Sequence, residues 1–518
     1  MRTDYDIAII GSGFAGSLMA LIARRLGRSV VLIEKGKHPR FAIGESSTPL
    51  ANLLLDRLAT RYDLPALQSL TKWGSWQENH ASIACGLKRG FSFYHHVEGQ
   101  FFTSDPNRRN QLLVAASPRD VIADTHWYRQ EFDHFLAQQA TQQGAELLEN
   151  TAITEILTTP EGATLTASRD GFSRQLNVRL ILDASGPRGC LHRVLRLAET
   201  KPDYLPATQA LYSHFTNVRS WADLNPDSEA PPYPPDAAAV HHLFDGGWIW
   251  VLRFNNGITS AGAAVLEPLA AELGLSEGEP AWQRLLKKFP SVAAQFEGAT
   301  PCIPFIHTPR LSFLSSDLSG ASWAMLPSAA GFIDPLLSTG FPLALLGIER
   351  LARILEQTKP GQKITPELER YAVQTKQELL TTGRLIAALY TSLHDFELFT
   401  AISKLYFAAA SFAECAIRLD RPQMAGDSFL LMEHPEFGPK ARECLDRALL
   451  KPVGVDRTEL LNRLHQTIQS VDVCGLGNAS RRNWHPARAE DLFTAANKLG
   501  VHAGAIEKML VQCGFNPG

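Results

Sequence analysis

The chain has 518 residues, 45% hydrophobic and 20% charged, with a net charge of −3. That composition fits a folded globular protein and leaves no basic tract for nucleic acid or an anionic membrane surface. Seven scattered cysteines without CxxC or zinc-like spacing point to reduced thiols in the cytoplasm and no metal centre, and no apolar run approaches the roughly 20 residues that span a bilayer.

The first apolar run, Asp6–Ile10, reads as a strand. It enters Gly11-Ser12-Gly13-Phe14-Ala15-Gly16, followed by a helical stretch over Ser17–Leu26 and a second strand, Ser29–Ile33, ending at Glu34. Strand, GxGxxG, helix, strand and acid together form a dinucleotide-binding fingerprint. Gly11 permits the tight turn, Gly13 lets the backbone approach a pyrophosphate, and Gly16 lets helix and strand pack closely. The helix N-terminus faces the phosphates, and Glu34 stands where a carboxylate accepts from a ribose hydroxyl. An N-terminus that opens on this strand is not expected to be a signal peptide.

Next comes Ala84–His96, ACGLKRGFSFYHH. As one strand it puts Gly86, Lys88, Gly90, Ser92 and Tyr94 on one face, and Arg89, Phe91, Phe93 and His95 on the other. Alone, Lys88 fits a solvated lysine; with the motifs below it fits an ammonium in a cavity that Gly86 and Gly90 keep open. Arg89 is then structural or solvent-facing.

Trp127–Leu136, WYRQEFDHFL, resembles the helix of FAD-dependent aromatic hydroxylases whose arginine reaches the cofactor, here Arg129. Arg179–Gly186 reads as a strand returning to the dinucleotide domain and stopping at Asp183. Trp323–Gly340 reads as a strand and small-residue loop, with a helix from about Phe341. In such flavoproteins this loop lies against the flavin and begins with Gly-Asp. Pro327-Ser328 stands there instead, leaving Asp334 as the nearest replacement.

These pieces imply an α/β fold. A discontinuous Rossmann-like FAD core (about 1–80, 105–190 and 310–355) carries sheet-rich substrate-covering insertions (about 81–104 and 191–310). A helical region, 356–518, follows, with helices expected at Pro366–Thr382, Gly383–Leu398, Ala401–Arg418 and Pro439–Leu450. No second nucleotide fold is evident, so a separate reductase is one source of reduced flavin.

Five features together resemble the flavin-dependent halogenases: the Rossmann start, Pro39-Arg40-Phe41 leading into Gly44-Glu45-Ser46-Ser47-Thr48-Pro49, the lysine segment, Gly247-Trp248-Ile249-Trp250, and Gly331–Gly340. The GFSF continuation after Lys88 is most similar to the branch acting on free phenols. The resemblance implies that reduced FAD, O2 and chloride or bromide give hypohalous acid, which Lys88 guides to an electron-rich aromatic. It implies a cofactor site from Gly11, Gly13, Phe14, Ala15, Gly16, Glu34, Lys35, Arg40, Ser46, Ser47, Arg129, Asp183, Asp334 and Gly340. It implies a halide turn at Ser338-Thr339-Gly340. Trp248 and Trp250 would separate flavin from substrate, with Phe91, Phe93 and Tyr94 lining the pocket. Arg253 departs from the family's W-x-W-x-I-P. Leu337 stands where tryptophan-specific members carry glutamate, which favours a phenol. Candidate bases for a phenol are His95, His96 and Glu45. The alternatives are a flavin hydroxylase without halide and a non-catalytic flavin-binding regulator. Oligomeric state is left open, a homodimer included.

Overall fold

The computed structural model describes residues 3–359 and 362–515. β1 (Tyr5–Ile10) and β2 (Val30–Ile33) are short Ile/Val-rich runs, largely buried, as the inner strands of a parallel sheet must be. α1 (Phe14–Arg25) connects them. The strand Phe172–Asp183 lies parallel on the other side of β1, and Trp323–Met325 lies parallel beyond it. These strands end at one edge, where the glycine loop, residues 184–188 and residues 327–340 converge, the usual place for a ligand in such sheets.

A nine-stranded sheet covers that edge. Its centre pairs β4 (Gly90–His95) parallel with Ala239–Phe244, which runs antiparallel to Gly247–Arg253, itself paired with Thr259–Leu266. β5 (Gln111–Ala115) extends it beside β4 and so departs from the expected cofactor core. Trp484–His485, from the region expected to be helical, adds an edge strand to β5.

The Lys88 segment is not one strand. β3 (Cys85–Lys88) pairs antiparallel with β6 (Asp124–Trp127) in a separate ribbon, and β4 starts at Gly90. The break falls at Arg89, whose amide donates to the Ala237 carbonyl at 2.7 Å. It cancels the expected alternation and brings Lys88 and Phe91 to the same side.

Helices dominate after residue 356, with Thr365–Thr391, Phe396–Arg418, Phe437–Leu449 and Gly454–Val471 the longest. The expected break at Gly383 does not occur. A β-carbon there would lie 2.7 Å from the Leu205 side chain, so this glycine serves close packing inside a helix. The break comes at Asp395, whose carboxylate accepts the Leu398 amide as an N-cap.

Candidate active site

Between the two sheets lies a cavity of about 570 Å³, lined by Gly13, Phe14, Ala15, Arg40, Gly44–Ser46, Arg129, Trp248, Trp250, Asp334 and Ser338–Gly340 among others. The glycine loop is built by contact. A β-carbon on Gly16 would lie 1.9 Å from the Gly11 carbonyl, and one on Gly11 (φ +97°) would lie 2.6 Å from that of Ala184. A β-carbon on Gly13 would instead face the Arg129 and Arg40 guanidiniums at 3.4 and 3.6 Å. The Asp133 carboxylate, equally close at 3.4 Å, holds both guanidiniums; with two cations to one carboxylate over a glycine turn at the start of α1, the residues present fit the pyrophosphate of FAD.

Arg129 is fixed by two bonds to the buried Asp133 (2.7 and 2.8 Å) and by the Ile43 and Gly44 carbonyls. Glu34 accepts from the Ser12 and Gly36 amides and from Arg40. Burial raises its pKa, but these donors and the Arg40 charge outweigh that and hold it at about 2. Six expected cofactor residues do not line the cavity: Gly11 and Gly16, which shape the turn beneath it, Glu34, Lys35, Asp183 and Ser47. Lys35 is exposed. Asp183 is buried and accepts from the Ser185 amide and hydroxyl and the Leu191 amide, which fixes the loop after its strand. Ser47 is buried, its hydroxyl donating to the Thr125 carbonyl at 2.7 Å.

From Glu45 to Thr48 each residue has a different task. Glu45, buried at the cavity, accepts from His214 Nε2 at 2.8 Å. Ser46 lines the cavity and its hydroxyl accepts from Lys88 Nζ at 2.9 Å. The Ser47 carbonyl accepts from the same ammonium at 2.5 Å. Thr48 caps α2 (Pro49–Arg61) through the Ala51 amide.

Lys88 is 0% exposed, and its Nζ lies 3.8 Å from the Phe91 ring centroid, a cation–π contact. Burial pulls its pKa down, against the charge of Asp124 across the ribbon, which raises it. Gly86 and Gly90 give no clearance to this amine, contrary to expectation. A β-carbon on Gly86 would lie 2.0 Å from the Arg253 carbonyl, and one on Gly90 2.2 Å from that of Val114. They let backbones meet. Arg89 is buried and bonded to Asp120 and the Ser117 carbonyl.

Phe91 and Phe93, expected to line the pocket, do not line the cavity; they are buried and stack on His241, a cavity-lining residue kept neutral by burial. Phe407 and Phe399 of the helix Phe396–Arg418 close on the two rings. Tyr94 is a correction: it points through the sheet into a second core with Trp221 and Phe102. His96 bonds His242 in that same buried region, and His95 faces the Leu393 carbonyl. Of the three candidate bases, only Glu45 lines the cavity.

Trp248 and Trp250 line the cavity with ring centroids 5.7 Å apart. Trp248 Nε1 donates to the Tyr390 hydroxyl at 3.0 Å, and that hydroxyl donates to Asp334 at 2.8 Å. The other Asp334 oxygen accepts the Leu336 amide at 3.0 Å. Asp334 thus ties the loop to the tryptophans. Arg253 turns to Asp236 and the Val218 and Arg219 carbonyls, so its departure from proline anchors the end of the proline-rich stretch Ala230–Asp236, APPYPPD.

Leu337 (φ 64°) and Ser338 (φ 56°) are consecutive non-glycine residues in the left-handed region, a conformation that clusters at functional sites. They turn the chain into the helix Gly340–Gln357, whose first amides have no partner within the helix. A β-carbon on Gly340 would meet nothing within 4 Å, so this end faces open cavity. The sequence reading missed Tyr390, His214, Asp124, Phe399 and Phe407. All are held by tertiary contacts that carry no local motif.

The family model for FAD dependent oxidoreductases matches residues 6–331. The chain is 31% identical to the monodechloroaminopyrrolnitrin halogenase of Pseudomonas fluorescens, over 78% of this chain and 70% of that one. It is 28% identical to the tetracycline 7-halogenase of Kitasatospora aureofaciens, over 78% and 73%. Its fold matches the crystal structure of the halogenase PltM in complex with phloroglucinol and FAD, with a TM-score of 0.81, 25% identity, and coverage of 93% and 100%. The glycine cradle, the paired tryptophans and these likenesses agree: this chain belongs to the flavin-dependent halogenases, FAD-binding oxidoreductases.

Proposed function

We propose that this halogenase acts on a phenol-like aromatic in the cytoplasm, with reduced FAD from a separate reductase, and that Lys88 directs hypohalous acid to the ring. The observation that carries this is the placement of Lys88. Its buried ammonium hangs on Ser46, a wall residue of the cofactor cavity, and lies over Phe91. A solved relative that holds phloroglucinol with FAD supports a phenol.

FAD, when bound reduced, supplies with O2 the oxidising power that turns halide into hypohalous acid. Gly11–Gly16, Arg40 and Arg129 would hold its phosphates. The amides opening the helix Gly340–Gln357 would receive the halide in the Ser338–Gly340 turn, where the Ser338 amide is bonded to the Pro335 carbonyl and the amides after it start the helix. Trp248 and Trp250 keep the organic substrate from the flavin. Lys88 would then hydrogen-bond the oxidant and present it to the substrate ring, with the Phe91–Phe93–His241 stack packed behind the amine. Glu45, which lines the cavity and is paired with His214, would serve as the base for a phenolic proton.

Reduced FAD, O2, bromide and a panel of phenols should yield products with a bromide mass shift. Lys88→Ala should abolish them while FAD binding and peroxide formation persist. Bromination by Lys88→Ala at near wild-type rate would remove the lysine from its role, and products gaining oxygen alone would indicate hydroxylation.

A further inference from the structure

Across the β3–β6 ribbon, Lys88 stands in register with Asp124. Both are buried, at 0% and 7% exposure. Asp124 accepts from Asn52 Nδ2 through Oδ1 at 2.8 Å, and its Oδ2 has no hydrogen-bond partner. Lys88 spends two donors on Ser46 and the Ser47 carbonyl, and neither goes to Asp124. A buried carboxylate oxygen without a donor is costly unless a cation faces it or it carries a proton.

We propose that Asp124, oriented by Asn52, is the positioning residue that sets the protonation state of the Lys88 amine. This rests on the halogenase reading of Lys88. Other charged groups around the pair do not substitute for it. His126 on β6 and His241 on the facing strand are held neutral by burial. Glu414 and Arg418 act on Asp124 from the helix Phe396–Arg418 and are paired with each other at 2.8 Å. Burial drives the partners towards each other, lowering Lys88 and raising Asp124. The carboxylate charge opposes the loss of the ammonium and so decides how long it survives as pH rises.

The test uses the full-length FAD-loaded protein and two readouts, the pH–rate profile of bromination and a direct titration of Lys88. For the titration, lysine labelled with 13C at Cε is followed by NMR, the Lys88 line being the one lost in Lys88→Met. Asp124→Asn removes the opposing charge and should lower the Lys88 midpoint by roughly one pH unit or more, with the Lys88-dependent limb of the rate profile moving in the same direction. Asn52→Leu keeps the carboxylate but removes its donor, so it should move the midpoint the same way by less. It also serves if Asp124→Asn does not fold. A midpoint unchanged in the folded variants overturns the proposal. A wild-type protein that brominates no phenol sinks the halogenase role of Lys88 instead, and the amine titration still decides the pairing.

Discussion

Asp334 sits at the cavity with one oxygen on the Leu336 amide and the other on the Tyr390 hydroxyl. Burial pushes its pKa up from 3.8 to about 7, although the Leu336, Tyr390 and Trp248 donors pull the other way. The folded state therefore holds this proton more tightly than the unfolded chain. Stability from that difference is fully present below the unfolded pKa of 3.8 and is lost as pH rises to about 7. Three units at about 1.36 kcal/mol each give an upper value of about 4 kcal/mol. Asp334→Asn removes the titration but keeps the side-chain shape. Relative to wild type, the variant should gain about 4 kcal/mol of unfolding free energy between pH 4 and pH 8. Any rearranged hydrogen bond adds only a constant offset, so the slope isolates the carboxyl. Urea unfolding, followed by tryptophan fluorescence on the flavin-free protein at unit pH steps, measures it. Parallel curves for the two proteins would refute an acid held largely protonated at this position.

Tyr390→Phe leaves the Trp248 indole N–H and an Asp334 oxygen without their partner. At about 1–3 kcal/mol per unsatisfied group, it should lower the unfolding free energy by about 2–6 kcal/mol and raise the peroxide released per halogenated product. Gly86→Ala places a methyl 2.0 Å from the Arg253 carbonyl, so a stability loss of about 1–3 kcal/mol and slower halogenation are expected, with flavin absorbance retained. Arg129→Ala leaves the buried Asp133 with only the longer Arg40 contact at 3.9 Å; FAD fluorescence titration should show weakened binding, and thermal unfolding a loss of up to about 3–5 kcal/mol. Gly340→Ala adds a methyl to open space. The melting temperature should hold while the bromide concentration for half-maximal rate rises.

The dinucleotide fingerprint was legible because its glycines answer to contacts within a few residues or across one strand pair. Gly16 meets Gly11, and Gly11 meets Ala184. The tryptophan spacing was legible because period two puts both rings on one face of a strand. Alternation failed at Lys88 because it assumes an unbroken strand, and Arg89 turns out of the ribbon to bond Ala237. Gly86, Gly90 and Gly383 were misread for one common reason: sequence shows that a side chain is absent but not which neighbour occupies its space. Tyr390 and Asp124 lie 56 residues from Asp334 and in a different strand from Lys88, respectively. No periodicity links such pairs. Asp395 did carry a legible signal, an acidic cap three residues before Leu398.

Ser46 shows why a stretch that reads as a cofactor motif does more than hold a cofactor. In extended backbone successive side chains diverge, and here each finds a different environment. Glu45 meets His214, Ser47 is fastened to Thr125, and Thr48 starts α2. Ser46 alone belongs to both compartments, since it lines the cavity while its oxygen receives the Lys88 ammonium. The cofactor cavity and the lysine are therefore not independent modules. A displacement of residues 44–47 by cofactor loading would change the hydrogen bonds that Ser46 and Ser47 offer to Lys88. A buried amine with few donors' partners to spare would register it as a change in charge.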